Sequence, residues 1–179
     1  MIVEYKGNEL SEKDREMVWD ILCECDEEFY PKLSARNSSS QKNLKDTGVS
    51  GTAEMPIVYY EEMIQQDFLL AYEDNEVVGF MTFKKNYECY ALSSFGKSLY
   101  ITTVCVNKKK RGQGIMKALY CAMEKEVTKI CECNRISTRT WSLNTAQTHE
   151  LSKRGYQTIS VLENDRGPGV DTIYFGLVV

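Results

Sequence analysis

A chain of 179 residues, 42% apolar and 27% charged, has the composition of one folded domain and not of a disordered segment. Its net charge of −4 leaves no basic surplus for nucleic acid or an anionic membrane, so any bound anion needs a local cationic site. The first residues, Met1 to Lys6, lack the order of a secretory signal, no apolar run is long enough to span a bilayer, and seven cysteines cannot all pair with one another, so a reduced, cytoplasmic chain is expected.

Ser11 with Asp14 three positions on is a helix cap, and Met17, Val18, Ile21, Leu22 and Cys25 follow at helical spacing. Residues 29–55 are polar and serine-rich around Ser38, Ser39 and Ser40, and are expected to be irregular with room for a short helix. Pro56 suits the first turn of a short helix reaching about Gln66. Phe68–Tyr72 and Val77–Phe83 flank Glu73-Asp74-Asn75-Glu76, a hairpin signature. Leu99–Val106 is rich in β-branched residues and predicts a strand buried on both faces. From about Gly114 a helix follows, with Ile115, Ala118, Leu119, Ala122, Met123, Val127 and Ile130 on one stripe. Cys105 and Cys121 fall inside these two patterns and read as small buried hydrophobes.

Arg135–Trp141 is another strand. The next helix has both ends marked: Asn144 as cap, Gln147 in the capping-box position, Lys153 and Arg154 at the negative end of the dipole, and Gly155 just beyond. Two strands, Tyr156–Leu162 and Thr172–Val179, close the chain around the turn-rich Asn164 to Gly169. The apolar last strand, Ile173–Val179, suits either a place inside a sheet or pairing with a partner, which leaves the oligomeric state open. The order of elements predicts an α/β layered fold with a mixed sheet, one domain over residues 1–179.

One unit carries chemistry: strand 99–106, the basic linker Asn107-Lys108-Lys109-Lys110, the turn Arg111-Gly112-Gln113-Gly114, and the long helix. Glycines let a backbone turn sharply and approach a ligand closely. The amides of Gly112, Gln113, Gly114, Ile115 and Met116 are the unsatisfied donors of the helix's first turn, at the positive end of its dipole. A pyrophosphate fits there. A nucleoside-triphosphate loop needs four residues between its glycines, and a dinucleotide fingerprint needs a third small residue where Lys117 stands; both are absent.

The arrangement resembles motif A of the GNAT family of N-acetyltransferases, (Arg/Gln)-x-x-Gly-x-(Gly/Ala) between the fourth strand and third helix. Gly112 and Gly114 match, while Lys109 stands at the leading position and keeps the charge without the planar fork. Asn144 stands where members use an asparagine on the pantetheine arm, Gly155-Tyr156 where the family shows Gly-Phe, and the likeness covers nearly the whole chain. It implies a mixed, mostly antiparallel central sheet flanked by helices and splayed at the fourth and fifth strands. It implies acetyl-CoA as acyl donor, with no metal, and an amine of a small molecule or a protein as acceptor, attacking directly. Cofactor contacts are then expected at Val104, Val106, Lys109, Arg111, Gly112, Gln113, Gly114, Ile115, Met116 and Asn144, with an amide near Val106 as a one-donor oxyanion hole. Phe29, Tyr30 and Arg36 fall where the acceptor wall forms, and Asp165 and Arg166 in the final hairpin, where relatives contact acceptors.

The pattern breaks at Leu151, where many relatives carry the tyrosine that protonates the leaving thiolate, so no catalytic residue transfers. That break supports a rival: an inactive acyl-CoA-binding sensor or structural domain of the same fold. His149 tempts as acid or base, and Glu61 and Glu62 as bases, though each also suits a solvated face. A thiol enzyme built on His149, and a metal module on Cys23/Cys25 and Cys131/Cys133, are weaker still, because the latter spacing is one residue where structural zinc uses two to four. The net charge suits a cationic small amine.

Overall fold

In chain order the elements are β1 (Ile2–Gly7), α1 (Glu12–Cys25), α2 (Ile57–Met63), β2 (Asp67–Glu73), β3 (Glu76–Tyr87), β4 (Ser98–Val106), α3 (Ile115–Ala122), α4 (Thr128–Ile130), β5 (Arg135–Trp141), α5 (Thr145–Lys153), β6 (Gln157–Leu162) and β7 (Thr172–Val178). The computed structural model describes residues 1–45 and 54–179, so the part of the serine-rich stretch at 46–53 lies outside the described residues. All strands join one sheet in the order β1-β2-β3-β4-β5-β7-β6. Among the described residues, β4 and β5 alone of the paired strands run parallel, and the other pairs are antiparallel. This is the mixed sheet expected from the order of elements, mostly antiparallel as the resemblance implies. Among the described residues no helix is long and apolar enough to cross a membrane.

Local chemistry accounts for the boundaries. Ser11 caps α1 by accepting from the Asp14 amide at 3.1 Å. Asp74 and Asn75 take φ of 51° and 62°, the two-residue turn whose twist matches the hairpin β2–β3. Alternation along β2 covers both faces: Leu69 and Ala71 pack with α3, whereas Phe68 and Leu70 pack with α1 and α2. Each fully buried large side chain of these layers stabilises by about 1.5–3 kcal/mol.

Several expectations change. β1 is a strand that the sequence reading passed over; it pairs with β2 at the sheet edge. β7 lies between β5 and β6, so the apolar last strand is spent inside the sheet. Ile130 is 59% exposed because the helix takes a π turn at Met123–Val127. The extra residue per turn rotates the stripe, and Cys131 packs on the core in its place. Cys121 is half-buried, not buried. β4 is buried on both faces only from Ser98 to Ile101; beyond, Thr102, Val104 and Val106 are half-exposed.

Candidate active site

The opening in the sheet begins at a β-bulge. On the β3 side Thr82 pairs with Thr103 but Phe83 pairs with Ile101, so Thr102 is an extra residue in β4. On the β5 side, pairing stops at Ile101 and Thr138, where the Thr138 hydroxyl donates to the Ile101 carbonyl at 3.0 Å. Past that point β4 and β5 splay around a cavity of about 830 Å³. The Asn107 amide donates to Val78 on β3, so by strand alternation Cys105 and Thr103 also turn their peptides to β3. The peptides of Val104 and Val106 therefore face the opening. The Arg111 Nε on the Val106 carbonyl, at 3.2 Å, agrees.

At one mouth stands the glycine turn. Gly112 and Gly114 have φ of 76° and 80°, and a Cβ added to either would meet nothing within 4 Å. Backbone conformation and open space in front, not packing, are what these glycines serve. Among the described residues no acceptor takes the amides of Gly112, Gln113, Gly114, Ile115 or Met116, and these peptides end α3 toward the cavity. Gly79 on β3 seats that helix, because a Cβ there would come within 2.8 Å of Ile115 Cγ2 and 3.1 Å of the Cys105 carbonyl.

Charge around the turn is more committed than the sequence suggests. Arg111 grips Glu28 with two nitrogens, at 3.0 and 2.8 Å, and that bond holds the Glu28 carboxyl below the usual range. Lys108 also faces Glu28, at 3.5 Å, and Lys110 pairs with Glu73. Lys109 and Gln113 are exposed and lie outside the lining, whereas Lys117 and Lys153, which the sequence reading did not select, line it.

The opposite wall is α5. Asn144 Oδ1 accepts from the Gln147 amide at 3.2 Å, and its Nδ2 donates to Thr140 at 3.2 Å. Gln147 does not complete the capping box; its side chain donates to Tyr120 Oη at 2.6 Å. Arg154, at the end of this helix, bonds Glu150 of the same helix (2.7 Å) and reaches across to the Lys117 carbonyl of α3 (3.1 Å) and to Glu124 in the turn after it (3.0 Å).

On the α1 side the lining is Cys25, Glu28, Phe29, Thr103, Arg139 and Trp141. Of the five acceptor-side residues predicted, only Phe29 lines the cavity. Tyr30 is exposed and gives its carbonyl to Arg166; Arg36 and Arg166 are buried behind the wall; Asp165 accepts from Thr172 at 2.6 Å. Arg139 and Trp141 were missed, although alternation along Arg135–Trp141 puts both on one face of the strand.

The remaining candidates fall away from the opening. His149 is exposed on α5 and Glu61 exposed on α2, and neither lines it. Burial acts to raise Glu62, but Lys84 at 2.7 Å and the Ser39 amide at 2.9 Å prevail and hold it below the usual range, as a clamp on the loop. Leu151 is fully buried in the core. No tyrosine is among the described residues that line the cavity. All seven cysteines are free thiols, and the described residues hold no group of three or more metal-ligating side chains.

Comparison with known proteins agrees with this geometry. No curated protein matches the sequence. Solved structures align over nearly the full length. A ribosomal-protein-alanine N-acetyltransferase from Brucella melitensis superposes with a TM-score of 0.66 at 15% identity, covering 100% of both chains. A protein of Desulfovibrio desulfuricans assigned to the GNAT acetyltransferases gives 0.67 at 14% identity, covering 99% of each. A protein of Bacillus anthracis str. Ames, assigned as a streptothricin acetyltransferase and solved in complex with acetyl coenzyme A, gives 0.53 at 25% identity, over 64% of this chain and 62% of that one. The Acetyltransferase (GNAT) family model matches residues 16–156, most of the chain, and the chain belongs to that family.

Proposed function

We propose that this chain moves an acetyl group from acetyl-CoA to the amine of an acceptor by direct attack within the splayed cleft. The observation that carries the reading is the joint geometry of the glycine turn and the broken pairing after Ile101 and Thr138. Together they border one cavity that runs from the glycine turn to the α1 side of the sheet. The acetyl-CoA complex of the Bacillus anthracis relative supports the choice of donor.

The residues present fit such a ligand. Open space before Gly112 and Gly114 and five free amides suit a pyrophosphate, with Ile115 and Met116 in the helix's first turn and Lys109, Arg111 and Gln113 around it. The outward peptides of Val104 and Val106 suit the pantetheine amides in the manner of an added strand. Asn144, half-buried with one amide hydrogen beyond its bond to Thr140, suits the same arm from the other wall. The Val106 amide is the donor placed to stabilise charge on the acetyl oxygen.

The step then balances simply. The neutral amine attacks the acetyl carbon, an N–C bond forms and the C–S bond breaks. Coenzyme A leaves as thiolate, and the proton lost from nitrogen reaches the sulfur through water. An alkyl amine is only ~0.1% free base at neutral pH, a cost of about 4 kcal/mol. Bringing the partners together in one complex offsets up to about 7–11 kcal/mol. A free thiol has a pKa near ~8.5, so a leaving thiolate needs no dedicated acid, consistent with the cavity's lack of a tyrosine.

Seven free thiols support a reducing compartment, and we place the protein in the cytoplasm. The test is thiol release from acetyl-CoA across a panel of amines. Amine-dependent release supports transfer; binding of acetyl-CoA with no release for any amine supports the inactive binding domain.

A further inference from the structure

Three arginines gather behind the α1-side wall of the cavity: Arg36 from the loop after α1, Arg139 from β5 and Arg166 from the β6–β7 hairpin. Arg36 and Arg166 are each only 4% exposed. Their bonds go to neutral oxygens. Arg36 donates to the Pro31 carbonyl at 2.9 and 2.7 Å, and Arg166 to Thr172 Oγ1 at 3.0 Å and the Tyr30 carbonyl at 2.6 Å. Arg139 donates to Tyr174 Oη and the Ser39 carbonyl, both at 3.2 Å. Among the described residues no carboxylate comes within 4.0 Å of any of the three. Buried Asp26 is taken by the Ser34 amide at 2.6 Å, and Asp165 by Thr172.

Instead two of the guanidinium groups lean on rings that line the cavity. Arg36 lies 5.6 Å from the centre of Phe29, and Arg166 lies 5.4 Å from that of Trp141, with the two rings 5.9 Å apart. A ring face offsets a small part of the cost of burying a cation, far less than an anion does. Burial, and then the neighbouring guanidinium groups, push Arg36 and Arg166 below the ordinary arginine value, yet all three stay charged at neutral pH. The result is a cationic floor in a protein of net charge −4. One of the three, Arg139, reaches the cavity, directly after the residue where β4 and β5 part.

We propose that the acceptor carries an anionic group, carboxylate or phosphate, on the same small molecule as its amine, and that Arg139 receives it on the cavity face beside Trp141 and Phe29, with Arg36 and Arg166 supplying the field behind. This inference rests on the transfer reading and names the substrate class for it. It reverses the expectation from net charge, since the local field in the cleft opposes that of the whole chain. An anion held at Arg139 leaves the amine of the same molecule free to point toward Val104 and Val106.

The test is calorimetric titration of the coenzyme A complex of the full chain with matched ligands: glycine and alanine, their amides, methylamine and ethylamine as the corresponding decarboxylated amines, and O-phosphoethanolamine. The acids are expected to bind at least about 10-fold tighter than their amides, as a charge-assisted bond to guanidinium requires. Arg139→Gln should erase that preference, and Arg139→Lys should restore part of it. Tighter binding of O-phosphoethanolamine than of any carboxylate supports the anion subsite and assigns phosphate as its ligand. Equal binding of acid and amide, or binding of neither while coenzyme A binds, overturns the inference and leaves the transfer reading standing. Should coenzyme A itself not bind, the transfer reading falls. The same acid–amide pairs titrated into the free chain then decide the anion subsite separately. The ligand comparison needs no variant, so a misfolded Arg139 variant, detected by its melting curve, does not remove the test.

Discussion

Arg111 and Glu28, 83 positions apart in the sequence, meet in a two-pronged ion pair at 3.0 and 2.8 Å across the mouth of the cleft. The pair ties the phosphate turn to the end of α1. It also keeps the one arginine of the turn from pointing only at a ligand.

Glu28→Gln should loosen that grip and free Arg111 for a phosphate. Acetyl-CoA binding is expected to tighten by about 2–5-fold, equivalent to roughly 0.4–1 kcal/mol. Both side chains are more than a third exposed, so screening limits the stability lost to under about 1 kcal/mol. The pH sign follows from Arg111 holding the Glu28 carboxyl below the usual range. The pair's stabilisation is present above that range and is lost as pH falls through the lowered value. Calorimetry at neutral pH and thermal melts across the acid range check both parts.

Gly112→Asp should abolish acetyl-CoA binding without unfolding the chain. An added Cβ meets no protein atom within 4 Å, and the carboxylate it carries enters the open space a pyrophosphate needs. Backbone strain at its φ of 76° costs about 1–2 kcal/mol. A melting curve that is lowered but still cooperative, with no binding heat, is the expected pair of results.

Gly79→Ala tests the seat of α3 from the opposite side of the helix. Its Cβ would press on Ile115 and on the fixed Cys105 carbonyl, forcing the helix start to shift. Overpacking of this kind costs about 1–3 kcal/mol. Because Ile115 is also one of the amide donors, acetyl-CoA affinity should fall along with the melting temperature.

Asn144→Ala removes a helix cap and a cleft amide together, and should cost about 1 kcal/mol of stability. Asn144→Ser retains the cap and shortens the side chain. If the pantetheine arm uses this amide, both variants should bind acetyl-CoA more weakly while only the alanine melts earlier.

What the sequence made legible were features written in local spacing. The turn at 111–114 stands out because two glycines follow a β-branched run and a basic linker just before a helical stripe, and the hairpin at Asp74 and Asn75 because those residue types tolerate positive φ. Long-range pairing was not legible. Nothing near Arg111 announces Glu28, and nothing near Phe29 announces Trp141. The Thr102 bulge hides inside a uniform strand pattern, and the π turn at Met123–Val127 shifts a stripe whose letters still suit a regular helix, leaving Ile130 exposed. Of the residues expected at the acceptor wall, Phe29 lines the cavity, Arg36 and Arg166 are buried behind the lining and Tyr30 is exposed outside it, while Arg139 and Trp141 of β5 line it.

The most direct test of the account is calorimetric titration of the full chain with acetyl-CoA, followed by coenzyme A in the same buffer. The account predicts one-to-one, micromolar binding of both, lost in Gly112→Asp. Absence of binding by either ligand would mean that the turn and the splayed strands do not form a cofactor site, and would contradict the central claim.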